Sequence, residues 1–215
     1  MLLLHSVEAG PVATMGYVLA DAQRSSAILV DVPLESSAQL TALLRDHDLR
    51  VTQIVLTHGH FDHVGEVASL ARRLQVPVSI GREDAPMLED PGSMFMSMPI
   101  SIEGMTPQQL LDDGDVIECG ELRLEVLHVP GHTTGHVALY ERQQGILFSG
   151  DVLFHSSIGR TDLPGGDYDT LMTSITRKLL TLPDETVVYP GHGPSTTIAY
   201  ERSHNPFILE YLEHF

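Results

Sequence analysis

The stretch that most limits what this chain can become is Thr57-His58-Gly59-His60-Phe61-Asp62-His63, directly after the apolar run Val51 to Leu56. Three imidazoles and a carboxylate crowd into this one short segment. Histidine titrates near neutrality and is the commonest metal ligand, so such crowding is electrostatically costly unless a cation binds it. The stretch predicts a hydrolytic metal centre to which the rest of the fold must bring further ligands.

Around it the hydrophobic period alternates between strand and helix. Two β-rich runs, Thr14 to Leu19 and Ala27 to Val32, flank a polar turn as in a hairpin. Leu40, Leu43, Leu44 and His47 then fall at helical spacing behind Ser36 and Ser37 as caps. Val51 to Leu56 reads as a buried strand, and the histidine run sits at its end, where open α/β sheets place their ligands. Val64, Val67, Ala68, Ala71 and Leu74 form a second helical stripe, and Pro77 to Ile80 a short strand.

The second half repeats this grammar. Strands are expected at Leu122 to Leu127, His136 to Tyr140 and Gly145 to Ser149, and then a helix carrying Leu171, Met172, Ile175, Leu179 and Leu182. A strand at Thr186 to Tyr189 and a helical segment at 196–215, jogged at Pro206, complete the pattern. Two sheets packed together with helices outside satisfy it, as one domain over 1–215. The segment 81–114 differs. Pro86, Pro91, Pro99 and Pro107 break regular structure, and five of the eight methionines fall there, which suits an insertion acting as a lid or as a contact in a homo-oligomer.

Composition narrows the partners. A formal charge of -17 disfavours phosphate-backbone binding, so no nucleic-acid partner is expected. No apolar run reaches the roughly 20 residues of a membrane helix, and Met1-Leu2-Leu3-Leu4 lacks the form of an export signal. The single Cys119 fits a reducing compartment, so the expected location is cytoplasmic, without membrane association.

Three other predicted strand ends carry a ligand-type residue beside a glycine: Pro130-Gly131-His132-Thr133, Ser149-Gly150-Asp151 and Pro190-Gly191-His192-Gly193. The candidate metal ligands are therefore His58, His60, Asp62, His63, His132, Asp151 and His192. These are too many for one ion, and a catalytic metal pair shares a carboxylate while leaving positions open to water. A Cys-free His/Asp set suits zinc, iron or manganese, with zinc first.

In order and spacing these residues resemble the metallo-β-lactamase superfamily almost end to end. Gly131-His132-Thr133-Thr134-Gly135-His136, Phe148-Ser149-Gly150-Asp151, Gly159-Arg160-Thr161-Asp162 and Pro190-Gly191-His192-Gly193-Pro194 are similar to the small glyoxalase II-type hydrolases within it. The resemblance implies an α+β fold, a four-layer αβ/βα sandwich of two mixed β-sheets with helices on the outside. It implies that His58, His60 and His132 hold one divalent ion, that Asp62, His63 and His192 hold another, and that Asp151 bridges them. Asp62 and Asp151 would be catalytic, Asp62 orienting a metal-bound hydroxide. Arg160 resembles a basic residue that grips the substrate carboxylate, its rival role being an ion pair with Asp162 or Asp167. The carboxy-terminal helical domain with which larger glyoxalase II enzymes bind glutathione is not expected here.

The implied function is hydrolysis of a small-molecule thioester of the hydroxyacylglutathione type, releasing a 2-hydroxy acid and a thiol. The first alternative is a mononuclear iron persulfide dioxygenase using His58, His132 and Asp151; a lactone, ester or β-lactam hydrolase of the same fold is the next. His128 and His136 flank His132 but lie in or beside apolar strands, so they are expected to be structural or to support the ligands. Tyr17 and Tyr168 are candidates for core or surface packing near the pocket.

Overall fold

The computed structural model describes residues 2–21, 23, 25–92 and 101–214. Elements are numbered in chain order. The first sheet contains β1 (Leu2–Ala9), β2 (Thr14–Asp21), β3 (Ser26–Val30), β4 (Arg50–Val55), β5 (Val78–Gly81) and β6 (Gln109–Leu111), in spatial order β1-β2-β3-β4-β5-β6. β1, β2 and β3 pair antiparallel, and β3 to β6 pair parallel. The second sheet has the order β14-β13-β10-β9-β8-β7. Its strands are β7 (Val116–Cys119), β8 (Leu122–His128), β9 (Val137–Glu141), β10 (Ile146–Gly150), β13 (Val187–Pro190) and β14 (Thr196–Thr197). β11 (Leu153–Phe154) and β12 (Ser157–Ile158) form a small hairpin beyond it. The helices are α1 (Ser37–Asp46), α2 (Phe61–Val64), α3 (Val67–Leu74), α4 (Ala85–Glu89), α5 (Tyr168–Arg177), α6 (Ile198–His204) and α7 (Pro206–Glu213).

The apolar runs have a four-layer explanation. Successive strand residues face opposite sides, so Val18, Ala20, Ala27 and Leu29 pack outward against Leu40 and Leu44 of α1 and Val67 and Leu70 of α3. Their neighbours Leu19, Ile28 and Val30 turn inward onto Val126, Leu139 and Phe148 of the other sheet. On the far side Ala138, Tyr140 and Leu147 meet Leu171, Met172 and Ile175 of α5, Ile198 of α6 and Ile208 of α7. With both faces buried, the central strands read as continuous hydrophobic runs rather than alternating ones. The helix starts follow capping chemistry: Asp167 accepts from the Thr170 N–H, Thr197 from the Tyr200 N–H, and Asn205 from Phe207 and Ile208 with Pro206 next to it.

Several elements depart from the sequence reading. The helical stripe from Val64 to Leu74 is broken at Gly65–Glu66, where Gly65 lies against Leu34 too closely for a side chain and the Glu66 N–H bonds to the Val32 carbonyl. Residues 196–197 form β14 rather than helix, because they pair with Val187 and Val188. β1 has no counterpart in the sequence reading. It is an edge strand with only Val7 buried, so its hydrophobic pattern is weak. Within 81–114, Gly81 ends β5, 85–89 is helical and β6 completes the first sheet. Residues 93–100, with Met94, Met96 and Met98, lie outside the described residues.

Strand direction then positions the site. Because β3, β4 and β5 run parallel, Asp31, His58 and Asp84 all emerge at one edge. Parallel pairing of β10 with β13 brings Asp151 and His192 out together. β8, two antiparallel steps from β10, points the same way and delivers His132. Two backbone–backbone hydrogen bonds stitch the sheets at this edge: Val137 N–H to the Thr57 carbonyl and Met15 N–H to the Gly191 carbonyl, each 2.8 Å.

Candidate metal centre

All seven candidate ligands from the sequence meet at this edge, in overlapping groups of ring nitrogens and carboxylate oxygens whose members lie within 4.8 Å of one another: His58/His60/His132, His58/His63/Asp151 and Asp62/His63/His192. His58 and His63 are fully buried, and His192 stands at the rim. The short helix α2 makes the division within the histidine run. His60 precedes it in extended conformation and points at the first group, whereas Asp62 and His63 lie on its turn and point at the second.

The spacing fits metal coordination. A tetrahedron with metal–nitrogen bonds of about 2.0–2.1 Å has edges near 3.3 Å. His60 Nδ1 lies 3.1 Å from His58 Nε2 and 2.8 Å from His132 Nε2. In the second group Asp62 Oδ2 lies 3.5 Å from His63 Nε2 and 3.3 Å from His192 Nε2. Asp151 joins them, its Oδ2 lying 3.6 Å from His132 Nε2 and 3.4 Å from His192 Nε2. Gly191 makes room for that carboxylate, since a Cβ there would overlap Asp151 Oδ1.

Four of the five ligand imidazoles are held in the required tautomer, because their outward nitrogens face acceptors. His132 Nδ1–H donates to the Arg160 carbonyl (2.7 Å), His192 Nδ1–H to the Val12 carbonyl (3.1 Å) and His63 Nδ1–H to Asp31 Oδ2 (2.8 Å). Thr57 donates its hydroxyl to Asp31, so its oxygen is left to accept from His58 Nδ1–H at 3.1 Å. In the neutral form, which a bound cation requires, each of these four Nε2 atoms presents a lone pair inward. Buried His63 Nε2 and Asp151 Oδ1 have no hydrogen-bond partner among the described residues, although they are only 3.3 Å apart. A cation between such groups satisfies both.

The electrostatics agree. Burial, reinforced by His63 and His136, holds His58 well below the ordinary imidazole range. Burial, then His132, holds His60 at about 3. In the second group burial opposes charge, but the carboxylates outweigh it: Asp62, Asp151 and Asp31 hold His63 well above its usual value, and hydrogen bonds to Asp151 and Asp62 raise His192 to about 10. Burial likewise pushes Asp62 up, yet His63 and hydrogen bonds from His192 and Thr14 bring it down to about 2. Asp151 is held well below the carboxylate range by His63 and His192 against its burial. Without a cation, protons on two imidazoles stand where positive charge is required.

Four supporting residues escape the sequence reading. Asp31, with left-handed backbone (φ 58°) just past β3, accepts from the Thr57 N–H and hydroxyl as well as from His63. Its signal is present in the chain: a carboxylate directly after a buried strand, as in Ser149-Gly150-Asp151. Thr57 enters that reading only as the first residue of the histidine run. Thr14 donates its hydroxyl to Asp62 Oδ2 at 2.7 Å. Buried Asp84 accepts three hydrogen bonds from the ligand-bearing turns, and nothing in its local sequence marks it.

The neighbouring candidates sort out by contact. His136 is buried, stacks on His58 with ring centroids 4.7 Å apart and accepts the Asp151 N–H at Nε2. His128 is outside the site, bonding the Thr134 carbonyl. Tyr17 is a core residue whose hydroxyl donates to the Pro190 carbonyl, and Tyr168 is 40% exposed on α5. A cavity of about 180 Å³ opens onto the donors, walled by Val12, Phe61 and Leu163 and by Arg160. The Arg160 guanidinium is paired through two 2.7 Å bonds to exposed Asp162.

The model of the Metallo-beta-lactamase superfamily matches residues 9–192. This chain belongs to that superfamily. An uncharacterized protein of Aquifex aeolicus is 39% identical over 98% of this chain and 99% of its own length. The hydroxyacylglutathione hydrolase GloC of Haemophilus influenzae is 36% identical over 85% of this chain and 87% of its own. Among solved structures, the BLEG-1 B3 metallo-beta-lactamase superposes with TM-score 0.89 at 38% identity, covering 96% of this chain and 99% of that one. TTHA1623 in a di-iron-bound form gives 0.83 at 40%, covering 94% and 99%. ETHE1 from Myxococcus xanthus gives 0.82 at 29%, covering 98% and 90%. The fold of this superfamily member is thus the expected metallo-β-lactamase sandwich, and its His/Asp cluster is that of a divalent-metal hydrolase scaffold. Among the described residues no helix is long and apolar enough to cross a membrane.

Proposed function

We propose that this chain is a metal-dependent thioester hydrolase of the hydroxyacylglutathione hydrolase type, releasing a 2-hydroxy acid and a thiol. The observation that carries the reading is the position of Asp151, one oxygen of which serves both donor groups. The likeness to the Haemophilus influenzae hydroxyacylglutathione hydrolase supports the substrate class. His58, His60 and His132 would hold one ion and Asp62, His63 and His192 the other, with Asp151 shared; zinc suits the donor set best, and iron and manganese also fit. When bound, such a pair supplies a water activated near neutral pH and a Lewis acid for the thioester carbonyl.

The chain's own residues complete the chemistry. Asp62, fixed by Thr14, stays ionised and orients the attacking water by accepting its hydrogen bond. Val12, Phe61 and Leu163 give the acyl group an apolar wall. Arg160 at the mouth offers a planar donor fork to a substrate carboxylate, which exchanges with exposed Asp162. A thiol leaves as thiolate with a pKa of about 8–9, so a strong general acid is not needed.

Two other readings draw on particular neighbours. A mononuclear iron dioxygenase of a glutathione persulfide, using His58, His132 and Asp151, is the second reading; the likenesses to ETHE1 and to TTHA1623, the latter solved with two irons, fit iron at this site. β-Lactam hydrolysis is supported by the likeness to BLEG-1. One set of assays separates the three: metal per chain, S-lactoylglutathione hydrolysis, oxygen uptake with glutathione persulfide, and turnover of a chromogenic cephalosporin. Two metals with thioester turnover and no oxygen uptake are expected. One iron with rapid oxygen uptake, or lactam turnover exceeding thioester turnover, would overturn the proposal.

A further inference from the structure

Asp84 lies just past β5 in a 3-10 turn and is fully buried. It has no hydrogen bond to any of the seven candidate ligands, yet it grips the chain between them. Its Oδ2 accepts the Gly59 N–H at 3.0 Å and the Thr133 hydroxyl at 2.6 Å, and its Oδ1 accepts the Gly135 N–H at 2.7 Å. Gly59 is the residue between His58 and His60, and Thr133 follows His132. One carboxylate from the first sheet therefore ties the turn that carries two donors of the first group to the turn, from the second sheet, that carries the third. The second group uses other supports: Thr14 for Asp62, Asp31 for His63 and the Val12 carbonyl for His192.

We propose that Asp84 is the positioning residue of the first metal site, setting the separation of His58 and His60 from His132 while leaving the second site untouched. Its three hydrogen-bond partners all donate to it, which matches the site to an acceptor-only carboxylate. An amide of the same shape turns an NH₂ group toward at least one N–H or O–H that needs an acceptor. The two ligand turns then separate by the few tenths of an ångström to which a three-histidine site responds.

Asp84→Asn tests this, with Thr133→Val and Thr133→Ser as milder companions that remove and retain one of the three hydrogen bonds. Each full-length protein is stripped of metal, its melting temperature recorded, and then titrated with cobalt(II) followed by absorption and by competition with a chelator. Asp84→Asn is expected to weaken one of the two equivalents by roughly ten- to a hundredfold, as outer partners of metal ligands do. The other equivalent keeps its wild-type affinity and spectrum. Thr133→Val shows a smaller loss at the same equivalent, and Thr133→Ser restores it. Unchanged affinity at both equivalents, or equal weakening of both, overturns the proposal. Should Asp84→Asn fail to fold, the Thr133 pair decides: no difference between Val and Ser at the weaker equivalent overturns it as well.

Discussion

Replacing Asp31 by Asn changes one atom's hydrogen-bonding sense in a site that tolerates little error. Asp31 Oδ1 accepts the Thr57 N–H, and Oδ2 accepts both the Thr57 hydroxyl and His63 Nδ1–H, all at 2.8 Å. In the Asp31→Asn variant the side-chain carbonyl oxygen stays on the Thr57 N–H, since the alternative opposes two N–H groups. The NH₂ group then faces His63 Nδ1, which must become the acceptor. The imidazole proton moves to Nε2, the atom that lies 3.5 Å from Asp62 Oδ2 and 3.3 Å from Asp151 Oδ1. His63 would thus present N–H where a cation needs a lone pair.

The cost is the wrong tautomer plus loss of one buried carboxylate charge. Outer partners of ligating histidines contribute about ten- to a hundredfold in metal affinity, or roughly 1.4–2.7 kcal/mol. The upper end applies here because His63 is fully buried and no water can replace the acceptor. Asp31→Asn should lose most of the second equivalent of zinc on dialysis against a mild chelator, weaken the first less because Thr57, which holds His58 Nδ1, loses the same acceptor, and lower thioester kcat about a hundredfold. Metal analysis of the dialysed protein and steady-state kinetics measure both. Two tightly held metals with wild-type kcat would refute the tautomer argument.

Other outcomes follow from the same geometry. Asp151→Ala should lose both metals and all turnover, because its oxygen is shared; retention of one tight equivalent, checked by elemental analysis, would show two independent sites. Arg160→Ala should raise KM for a carboxylate-bearing thioester about tenfold with kcat retained. Asp162→Ala should leave stability within about 0.5 kcal/mol, since the exposed Arg160–Asp162 pair contributes little; kinetics and thermal melts check these. Metal binding should release protons at about pH 7.5, where the raised His63 and His192 are charged in the metal-free protein. Their contribution to metal-free stability is fully present below pH 6.5 and fades as pH rises toward about 10 for His192, while metal affinity rises over that window. Calorimetry in two buffers of different ionisation enthalpy counts the protons, and zero release would contradict the charge assignment.

Much of the site was legible along the chain because the donors lie in local, Gly-bracketed turns after apolar strands. His58 to His63 occupy one such turn, and His132, Asp151 and His192 each stand beside a glycine. Two-sheet layering was likewise readable, because strands buried on both faces leave continuous runs such as Ala27 to Val32. Arg160 shows the boundary: its rival role as the partner of Asp162 was visible as an i, i+2 charge pair, but its place at the cavity mouth was not.

By itself the sequence determined which side chains can bind a cation and that they end strands. These properties depend on residue type and near neighbours. The family resemblance implied how they are shared; only the tertiary structure decided which turns and hydrogen bonds make that division. The turn of α2 splits Asp62 and His63 from His58 and His60, parallel pairing brings Asp31 and Asp84 to the same edge, and Thr14 reaches Asp62 across 48 positions. The physical reason is that a buried carboxylate or hydroxyl acts through hydrogen bonds to turns distant in the chain, and such bonds leave no periodic or compositional trace around the residue that makes them.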